Sequence, residues 1–321
     1  MVDRRLFAAL LLFGLVLFGL AWPAASRGEE GQVLAPSERT FFVAFAQDTL
    51  QNDWRIAQVR DVERVLKRYR NVRFVYSDAG GQVSRQILDI EGFAARGVDV
   101  LITSPLDATV MAPAIAAVHA AGIPVVLLSR RVAGEAFTSF IHASNRSIGR
   151  EAARFLADRL GGKGRILVLQ HIPTTTPAIE RTEGFLDELE RHPGLSVAAI
   201  RRADSLRSKA ILAVEEALSE GVRFDAIYAQ SDSMASGARF ALRRAGIDPA
   251  TVPTVGVDYI AEARAAILAG EQAGSFRYPT FGAEGAEIAL RLLKGETVPP
   301  EVVVETLLVT KANAAAIPPI F

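Results

Sequence analysis

The feature that most constrains this chain is a pair of short apolar runs, residues 98–102 and 124–128, joined by a helix-like stretch at 108–121. Strands that are buried on both faces of a sheet read as continuous apolar runs of this kind. Pro113 predicts that the regular part of the helix begins near Ala112. The pattern therefore predicts a right-handed strand–helix–strand unit within a parallel sheet.

Small and polar residues follow each of the two apolar runs. In open parallel sheets, ligands bind in the crevice outside the carboxyl ends of the strands. We therefore expect a ligand to contact several of the residues at these two ends, which are Ser104, Pro105, Asp107, Ser129, Arg130 and Arg131.

Apolar runs and stretches with helical periodicity alternate along the rest of the chain. Further strands are predicted at 40–46, 72–76, 137–143, 165–169, 195–200, 224–229, 254–257 and 273–276, with a last extended run at 302–310. Helices are predicted at 54–70, 83–96, 145–160, 178–191, 207–220, 233–245, 260–269 and 281–293. This alternation predicts an α/β protein with two doubly wound halves and parallel sheets.

The first residues carry the pattern of a secretory signal peptide. Two arginines precede an apolar run at 6–22, and small residues follow at 23–26. We predict a signal peptide over residues 1–26, and therefore export of the rest of the chain. The alternative is an uncleaved transmembrane anchor, since the run is about as long as the shortest spanning helices.

The overall composition argues against several classes of function. The 36 Lys and Arg residues equal the 36 Asp and Glu residues, so no global basic field favours a nucleic-acid partner. The absence of Cys excludes disulfides, thiolate metal sites and a Cys nucleophile. The sequence has no G-x-S-x-G elbow, Walker loop or H-E-x-x-H pair, and no His has a partner at metal-ligand spacing. We therefore predict a protein that is not an enzyme and that holds no metal and no cofactor.

Four arginines lie near predicted strand ends or helix starts: Arg55, Arg130, Arg181 and Arg277. An isolated Arg is most often a solvated surface charge. If these four converge on one cleft, their planar forked donors suit a polar or anionic ligand. The sequence alone leaves both interpretations open.

Other polar or aromatic positions also have two interpretations. Trp54 either packs at a helix start or stacks on the apolar face of a sugar. Asp232 and Asp258 each follow an apolar run, where they either cap a helix or accept hydrogen bonds from ligand hydroxyls. Asn145 is a possible helix cap.

Five segments, in this order and spacing, resemble the periplasmic sugar-binding proteins of the ribose/galactose type, which share a LacI-like core. The segments are RGVDVLITSPLDA, AGIPVVLLSRR, QHIPTTTPAIERTEGF, YAQSDSMASGA and TVGVDY. The resemblance extends from residue 40 to residue 311, and NDWR at 52–55 is similar to the galactofuranose binders.

The resemblance implies two Rossmann-like lobes that are joined by three hinge crossings, near 143–144, 277–278 and 305–306. The first lobe would comprise 40–143 and 278–305, and the second 144–277 and 306–321. A small-molecule ligand would lie between them, the lobes would close by a hinge, and the protein would deliver the ligand in the periplasm to an ABC-type membrane permease.

The resemblance also implies a set of ligand-binding positions in this chain. Carried over position by position, and with Arg55 added from the charge pattern, they are Gln47, Asn52, Trp54, Arg55, Ser104, Ser129, Arg130, Arg181, Ser231, Asp258 and Arg277. Several of them depart from the family: Ser replaces one Asp and two Asn, Arg replaces a Gln at 277, and Ser205 replaces an aromatic. These changes predict a ligand more anionic, or less hydroxyl-rich, than a plain pentose or hexose, such as a sugar acid or a phosphorylated sugar.

A second function shares this fold and cleft. A sensory binding protein presents its ligand state to a membrane sensor kinase or chemoreceptor, and the sequence does not separate the two functions. A repressor with the same core would need a helix-turn-helix ahead of it, where residues 1–39 offer an apolar run instead.

Overall fold

The computed structural model of the chain describes residues 32–34 and 39–321. Its strands are β1 (Phe41–Gln47), β2 (Val72–Asp78), β3 (Val100–Thr103), β4 (Val125–Leu128), β5 (Ser139–His142), β6 (Gly164–Gln170), β7 (Leu195–Arg202), β8 (Ala226–Ala229), β9 (Thr254–Asp258), β10 (Gly274–Arg277), β11 (Glu301–Val303) and β12 (Leu307–Thr310). Its α-helices are α1 (Asp53–Leu66), α2 (Val83–Ala95), α3 (Ala112–Ala120), α4 (Asn145–Arg159), α5 (Thr176–Leu189), α6 (Arg207–Ser219), α7 (Asp232–Arg244), α8 (Ala261–Ala269) and α9 (Gly282–Leu293). The predicted signal peptide or anchor lies outside the described residues.

Within the described residues, the strands form two six-stranded sheets. The first has the order β11-β5-β4-β3-β1-β2, and all its pairs are parallel. The second has the order β12-β10-β9-β8-β6-β7, with β12 antiparallel to β10 and the other pairs parallel. The predicted α/β class with two Rossmann-like halves is confirmed.

Each sheet is covered by helices, and we name the two resulting bodies by their sheets. The first lobe is the first sheet with α1, α2, α3 and α9, and the second lobe is the second sheet with α4 to α8. The strands β3 and β4 are buried along their whole length, which explains why each reads as a continuous apolar run. None of the helices in the described part of the chain is long and apolar enough to cross a membrane.

The chain passes between the sheets three times, after β5, after β10 and after β11. The run at 302–310, predicted as one extended segment, is two strands in different sheets, and the resemblance placed a crossing inside it, near 305–306. β11 pairs with β5 in the first sheet, and β12 pairs with β10 in the second. The residue boundaries predicted for the two lobes remain predictions.

Two glycines let α4 and α5 approach each other closely. A methyl group at Gly149 would overlap the carbonyl oxygen of Arg181, and one at Gly184 would overlap that of Arg146. The two helices therefore meet backbone to backbone. This contact sets the position of α5, which carries Arg181 into the space between the lobes.

Candidate functional site

A cavity lies between the carboxyl ends of the strands of the two lobes. The space between its side chains that holds no protein atoms, open solvent included, is about 340 Å³. Seven of the predicted positions line it: Asn52, Trp54, Arg55, Ser129, Arg181, Ser231 and Asp258. Five further residues, which were not among the predicted positions, also line it: His171, Pro177, Ser205, Gln230 and Tyr278.

The other predicted positions lie elsewhere. Gln47 and Ser104 are fully buried behind the lining. Arg130 is almost fully buried and does not line the cavity, but its Nη2 lies 3.5 Å from Nε2 of His171, which does. Arg277 is half-buried at the end of β10 and does not line the cavity, whereas Tyr278, the next residue, does. Asp107, expected at the strand end, accepts hydrogen bonds from the loop that follows it and is not part of the lining.

A carboxylate that the sequence pattern did not single out lies behind the first-lobe wall. Asp48 is fully buried at the end of β1. Its Oδ2 is 2.7 Å from Arg130 Nη1, and its Oδ1 is 3.3 Å from Arg55 Nε. Asp48 therefore supplies a carboxylate that position 129 has lost. The three side chains together carry one net positive charge.

Arg55 is held by neutral groups as well. Its Nη1 donates to Ser104 Oγ at 2.7 Å and to Gln58 Oε1 at 3.0 Å. Gln47 Nε2 donates to the same Gln58 oxygen at 3.0 Å. Burial, and then the charge of Arg130, lower the pKa of Arg55 to about 9, and Asp48 acts in the opposite direction. Gln47 and Ser104 thus position Arg55 from behind the cavity wall.

Trp54 packs at the start of α1 and also lines the cavity. Its ring packs edge-on against Phe281 at 6.3 Å, and its Nε1 donates to the Tyr278 carbonyl at 3.4 Å. The Arg55 guanidinium lies 4.9 Å from the Trp54 ring centroid. The residue is therefore a packed side chain that also presents a surface to the cavity.

Arg181 approaches the cavity from the second lobe. Its Nε donates to Asn145 Oδ1 at 3.0 Å, and its Nη1 donates to the Gln230 carbonyl at 2.6 Å. The guanidinium lies 4.6 Å from the centroid of the Tyr278 ring. The prediction that Asn145 caps a helix is wrong, because Asn145 is the first residue of α4 and its side chain holds Arg181 instead.

The capping interpretation of the two second-lobe aspartates is also wrong. Ser231 caps α7 by accepting from Met234 N, and Asp232 is the first residue of that helix. Asp258 is the last residue of β9, and the residue before α8 is Ile260. The two carboxylates are therefore available for other contacts.

Asp232 and Asp258 have different surroundings. Asp232 accepts from Ser275 Oγ and Tyr259 N at 2.6 Å each and from Gln272 Nε2 at 2.8 Å, and burial raises its pKa to about 6. Asp258 faces the cavity with a backbone φ of 122°. Burial, and then the charge of Asp232, raise the pKa of Asp258 well above its ordinary range.

His171 also lines the cavity and directly follows β6. Its Nδ1 is 2.6 Å from the main-chain nitrogen of Ile172, and its Nε2 is 3.5 Å from Arg130 Nη2 in the first lobe. Burial, followed by the charges of Arg130, Arg181 and Arg55, lowers the pKa of His171 well below its ordinary value. A position directly after a predicted strand was the available sequence signal for this residue.

Direct hydrogen bonds join the two lobes around the cavity. Thr174 Oγ1 donates to the Leu106 carbonyl at 3.0 Å, and Ala108 N donates to the Thr174 carbonyl at 3.3 Å. At a second place, Asn52 Nδ2 donates to the Ser205 carbonyl at 3.2 Å. The lobes are therefore joined by direct hydrogen bonds at two places, as in a closed cleft.

Two parallel-sheet lobes, three passages between them and a polar cavity at the facing strand ends define a two-lobe α/β binding protein. Residues 43–297 match the family model described as periplasmic binding protein domain. The chain belongs to this family, and it is of the ribose/galactose type that the sequence resembles.

Named relatives bind small polyhydroxy compounds, as their names state. The chain is 30% identical to the xylitol-binding protein of Mycolicibacterium smegmatis over 246 residues, which is 76% of this chain and 70% of that protein. It is 30% identical to the ribose import binding protein of Salmonella typhimurium over 239 residues, 74% and 80% of the two chains. The structure of the fructose-binding periplasmic domain of a hybrid two-component system superposes with a TM-score of 0.81 at 30% identity, covering 86% of this chain and 92% of that one.

Proposed function

We propose that this chain is the periplasmic solute-binding component of an ABC-type uptake system and that it binds a sugar or a sugar derivative, an anionic one included. The observation that carries the proposal is the composition of the cavity wall. Arg55 and Ser129 come from the first lobe, and His171, Arg181 and Asp258 come from the second. A ligand held between them contacts both lobes at once.

Contacts to both lobes give such a ligand its effect on conformation. It binds the closed arrangement more tightly than the open one, and it shifts the equilibrium by this difference in affinity. Donors on Arg55 and Arg181 and the acceptor oxygens of Asp258 pair with ligand hydroxyls, while Trp54 covers an apolar face. The membrane permease then recognises the closed form. No covalent bond forms or breaks.

A sensory role is the second candidate, and one comparison favours it. The structure with 30% identity is the periplasmic domain of a hybrid two-component system. In this alternative, a membrane sensor kinase or chemoreceptor reads the closed form in place of a permease. Uptake of radiolabelled solute by cells with and without this chain separates the two, because a purely sensory protein leaves the initial uptake rate unchanged in cells that express the permease constitutively.

A thermal-shift screen of the purified protein tests binding itself. The panel contains neutral sugars, polyols, sugar acids and sugar phosphates, since a ligand that binds only the folded state raises the melting temperature. We expect one class to raise it and small-angle scattering to show a more compact protein with that ligand. If no compound in the panel raises the melting temperature, the assignment to sugar-like solutes is contradicted.

Arg181→Ala is the matched test of the cavity. Because Arg181 is buried at the cavity wall, we expect affinity to fall by about 100-fold or more while cooperative unfolding is retained. The control is Arg191→Ala, an exposed arginine just beyond the end of the same helix, which should bind as the wild type does. Unchanged affinity in Arg181→Ala would refute the location of the site.

A further inference from the structure

Two donors from different lobes approach each other beside the cavity. The main-chain N–H of Ile172 points to His171 Nδ1 at 2.6 Å, so Nδ1 must carry the lone pair. The lowered pKa keeps the imidazole neutral, and a neutral imidazole has one N–H. The hydrogen is therefore on Nε2, which lies 3.5 Å from Arg130 Nη2, an atom that can only donate.

Within the described part of the chain, Arg130 has a second donor without an acceptor, its Nε–H, on the edge of the guanidinium that also carries Nη2. Its Nη1 donates to Asp48 Oδ2 at 2.7 Å and to the Pro105 carbonyl at 3.3 Å. Its Nε is buried and has no hydrogen-bond partner among the residues that the structure describes. Nε–H and Nη2–H form the edge of a guanidinium that takes a carboxylate side-on with two parallel hydrogen bonds. Buried donors without acceptors are unfavourable, so this edge requires an acceptor.

The charge around this edge favours an anionic acceptor. Arg55 and Arg130 both pair with Asp48, which leaves one net positive charge on the three groups. Arg181 adds another cation, whose hydrogen bonds go to the neutral oxygens of Asn145 and Gln230. On the second-lobe side, the raised pKa of Asp258 disfavours its negative charge. A negatively charged ligand oxygen therefore gains more binding free energy at this edge than a neutral hydroxyl does.

Resting on the proposed function, we infer that Arg130 and His171 form a subsite across the cleft for the carboxylate of a polyhydroxy acid, and that His171 determines specificity. Arg130 supplies Nε–H and Nη2–H from the first lobe, and His171 supplies Nε2–H from the second. A carboxylate oxygen that accepts from both donors joins the two lobes through the ligand. Ser205 lies on the same wall with a buried Oγ that has no partner within the described chain, and it receives a ligand hydroxyl.

Nitrogen NMR of the unliganded protein tests the donor assignment without any ligand. With 15N-labelled histidine at about pH 7.5, where an unperturbed imidazole is neutral as well, His171 should show the tautomer with the proton on Nε2. The His171→Gln variant assigns the signal by its loss. On acidification to about pH 5.5, His171 should stay neutral, because burial and the neighbouring arginines lower its pKa. The Nδ1-protonated tautomer, or protonation of His171 at this pH, would overturn the inference.

Calorimetry with matched ligand pairs tests the subsite. The pairs are D-galacturonate with D-galactose and D-gluconate with D-glucitol, with D-galactose 6-phosphate as the alternative anion. We expect at least one acid to bind about 10-fold or more tightly than its neutral counterpart, as charge-assisted hydrogen bonds require. His171→Ala should lower that affinity by about 10-fold and remove the preference, whereas His171→Gln, which keeps an N–H donor, should lose less. His119→Ala is the control and should bind as the wild type does.

The outcomes distinguish this inference from the proposed function. A neutral sugar or polyol that binds as tightly as its acid overturns the subsite and leaves the binding protein in place. Tighter binding of the phosphate overturns the assignment to a carboxylate. Unchanged acid affinity in His171→Ala removes His171 from the subsite. Absence of binding by every member of every class would count against the proposed function as well as the subsite.

Discussion

The two lobes each bring a buried aspartate to the cleft, and the two carboxylates are held in opposite ways. Asp48 of the first lobe lies 2.7 Å from Arg130 and 3.3 Å from Arg55. Asp258 of the second lobe faces the cavity next to Asp232, and burial raises its pKa well above the ordinary range. The first carboxylate is stabilised by cations, whereas the second is destabilised by its surroundings.

This difference extends to the walls around the two carboxylates. In the first lobe, Gln47, Gln58 and Ser104 hydrogen-bond one another or Arg55, so Arg55 is held in place without a ligand, whereas Arg130 Nε has no partner within the described residues. In the second lobe, His171 and Ser205 keep donor capacity that faces the cavity. The first wall is therefore expected to carry stability as well as binding, and the second wall mainly binding. Four experiments test this contrast.

Asp48→Asn should have the largest effect. It leaves Arg55 and Arg130 buried without their carboxylate, and breaking a buried ion pair costs about 3–5 kcal/mol of unfolding free energy. Urea denaturation measures the loss. Asp53→Asn, an exposed aspartate in the first turn of α1, is the control and should lose less than about 1 kcal/mol. Equal losses in the two variants would remove the distinction between the walls.

The pH dependence of stability should reveal Asp232, the second buried carboxylate of the second lobe. Its folded-state pKa of about 6 exceeds the ordinary value of 3.8, so between these pH values the native state binds more protons than the unfolded state. The unfolding free energy of the wild type, relative to Asp232→Asn, should fall by roughly 3 kcal/mol as pH rises through this window. A flat difference for Asp232→Asn would contradict the burial argument.

Asp258→Asn should separate binding from stability. Its folded-state pKa is raised above the ordinary value of 3.8, so stability is lost as pH rises from that value towards the folded-state pKa, and the neutral amide removes this loss. We expect Asp258→Asn to unfold at equal or higher urea concentration than the wild type at neutral pH. Ligand affinity should fall by about 1–3 kcal/mol, in Asp258→Asn and also in Asp258→Ala, because a buried hydrogen bond is lost. Destabilisation like that of Asp48→Asn would show that the two carboxylates are equivalent.

Thr174→Val should have the smallest effect. The side chain is nearly unchanged in volume but loses the hydrogen bond to the Leu106 carbonyl, which joins the lobes. Closure, and with it ligand affinity, should weaken by about 0.5–1 kcal/mol, while the unfolding free energy stays the same. Calorimetry measures the first quantity and urea denaturation the second. Thr109→Val, an exposed threonine in the facing loop, is the control. Full affinity in Thr174→Val would mean that this bond does not contribute to closure.

The sequence predicted those parts of the molecule that repeat a pattern. Apolar runs give the buried strands, and helical periodicity gives the helices that cover them, so the cleft could be located at strand ends such as Ser129. The apolar pattern of 302–310 did not separate β11 from β12, because both strands are apolar and only three residues join them, and it was the resemblance that placed a crossing there.

Single side chains with no repeating pattern were the hardest to predict. Asp48 and His171 each directly follow a strand. The residues next to them in sequence do not show which side chains they contact. Their roles arise from Arg130, which lies far from both in sequence. Asn145 resembled a helix cap for the same reason, since its partner Arg181 is on another helix.

The close backbone contacts at Gly149 and Gly184 limit how this cleft could be altered. Gly149 lies against the carbonyl oxygen of Arg181 itself, and Gly184 lies against that of Arg146. A larger residue at either position would push α4 and α5 apart and displace Arg181. Any redesign of ligand recognition in this cleft therefore has to keep both glycines.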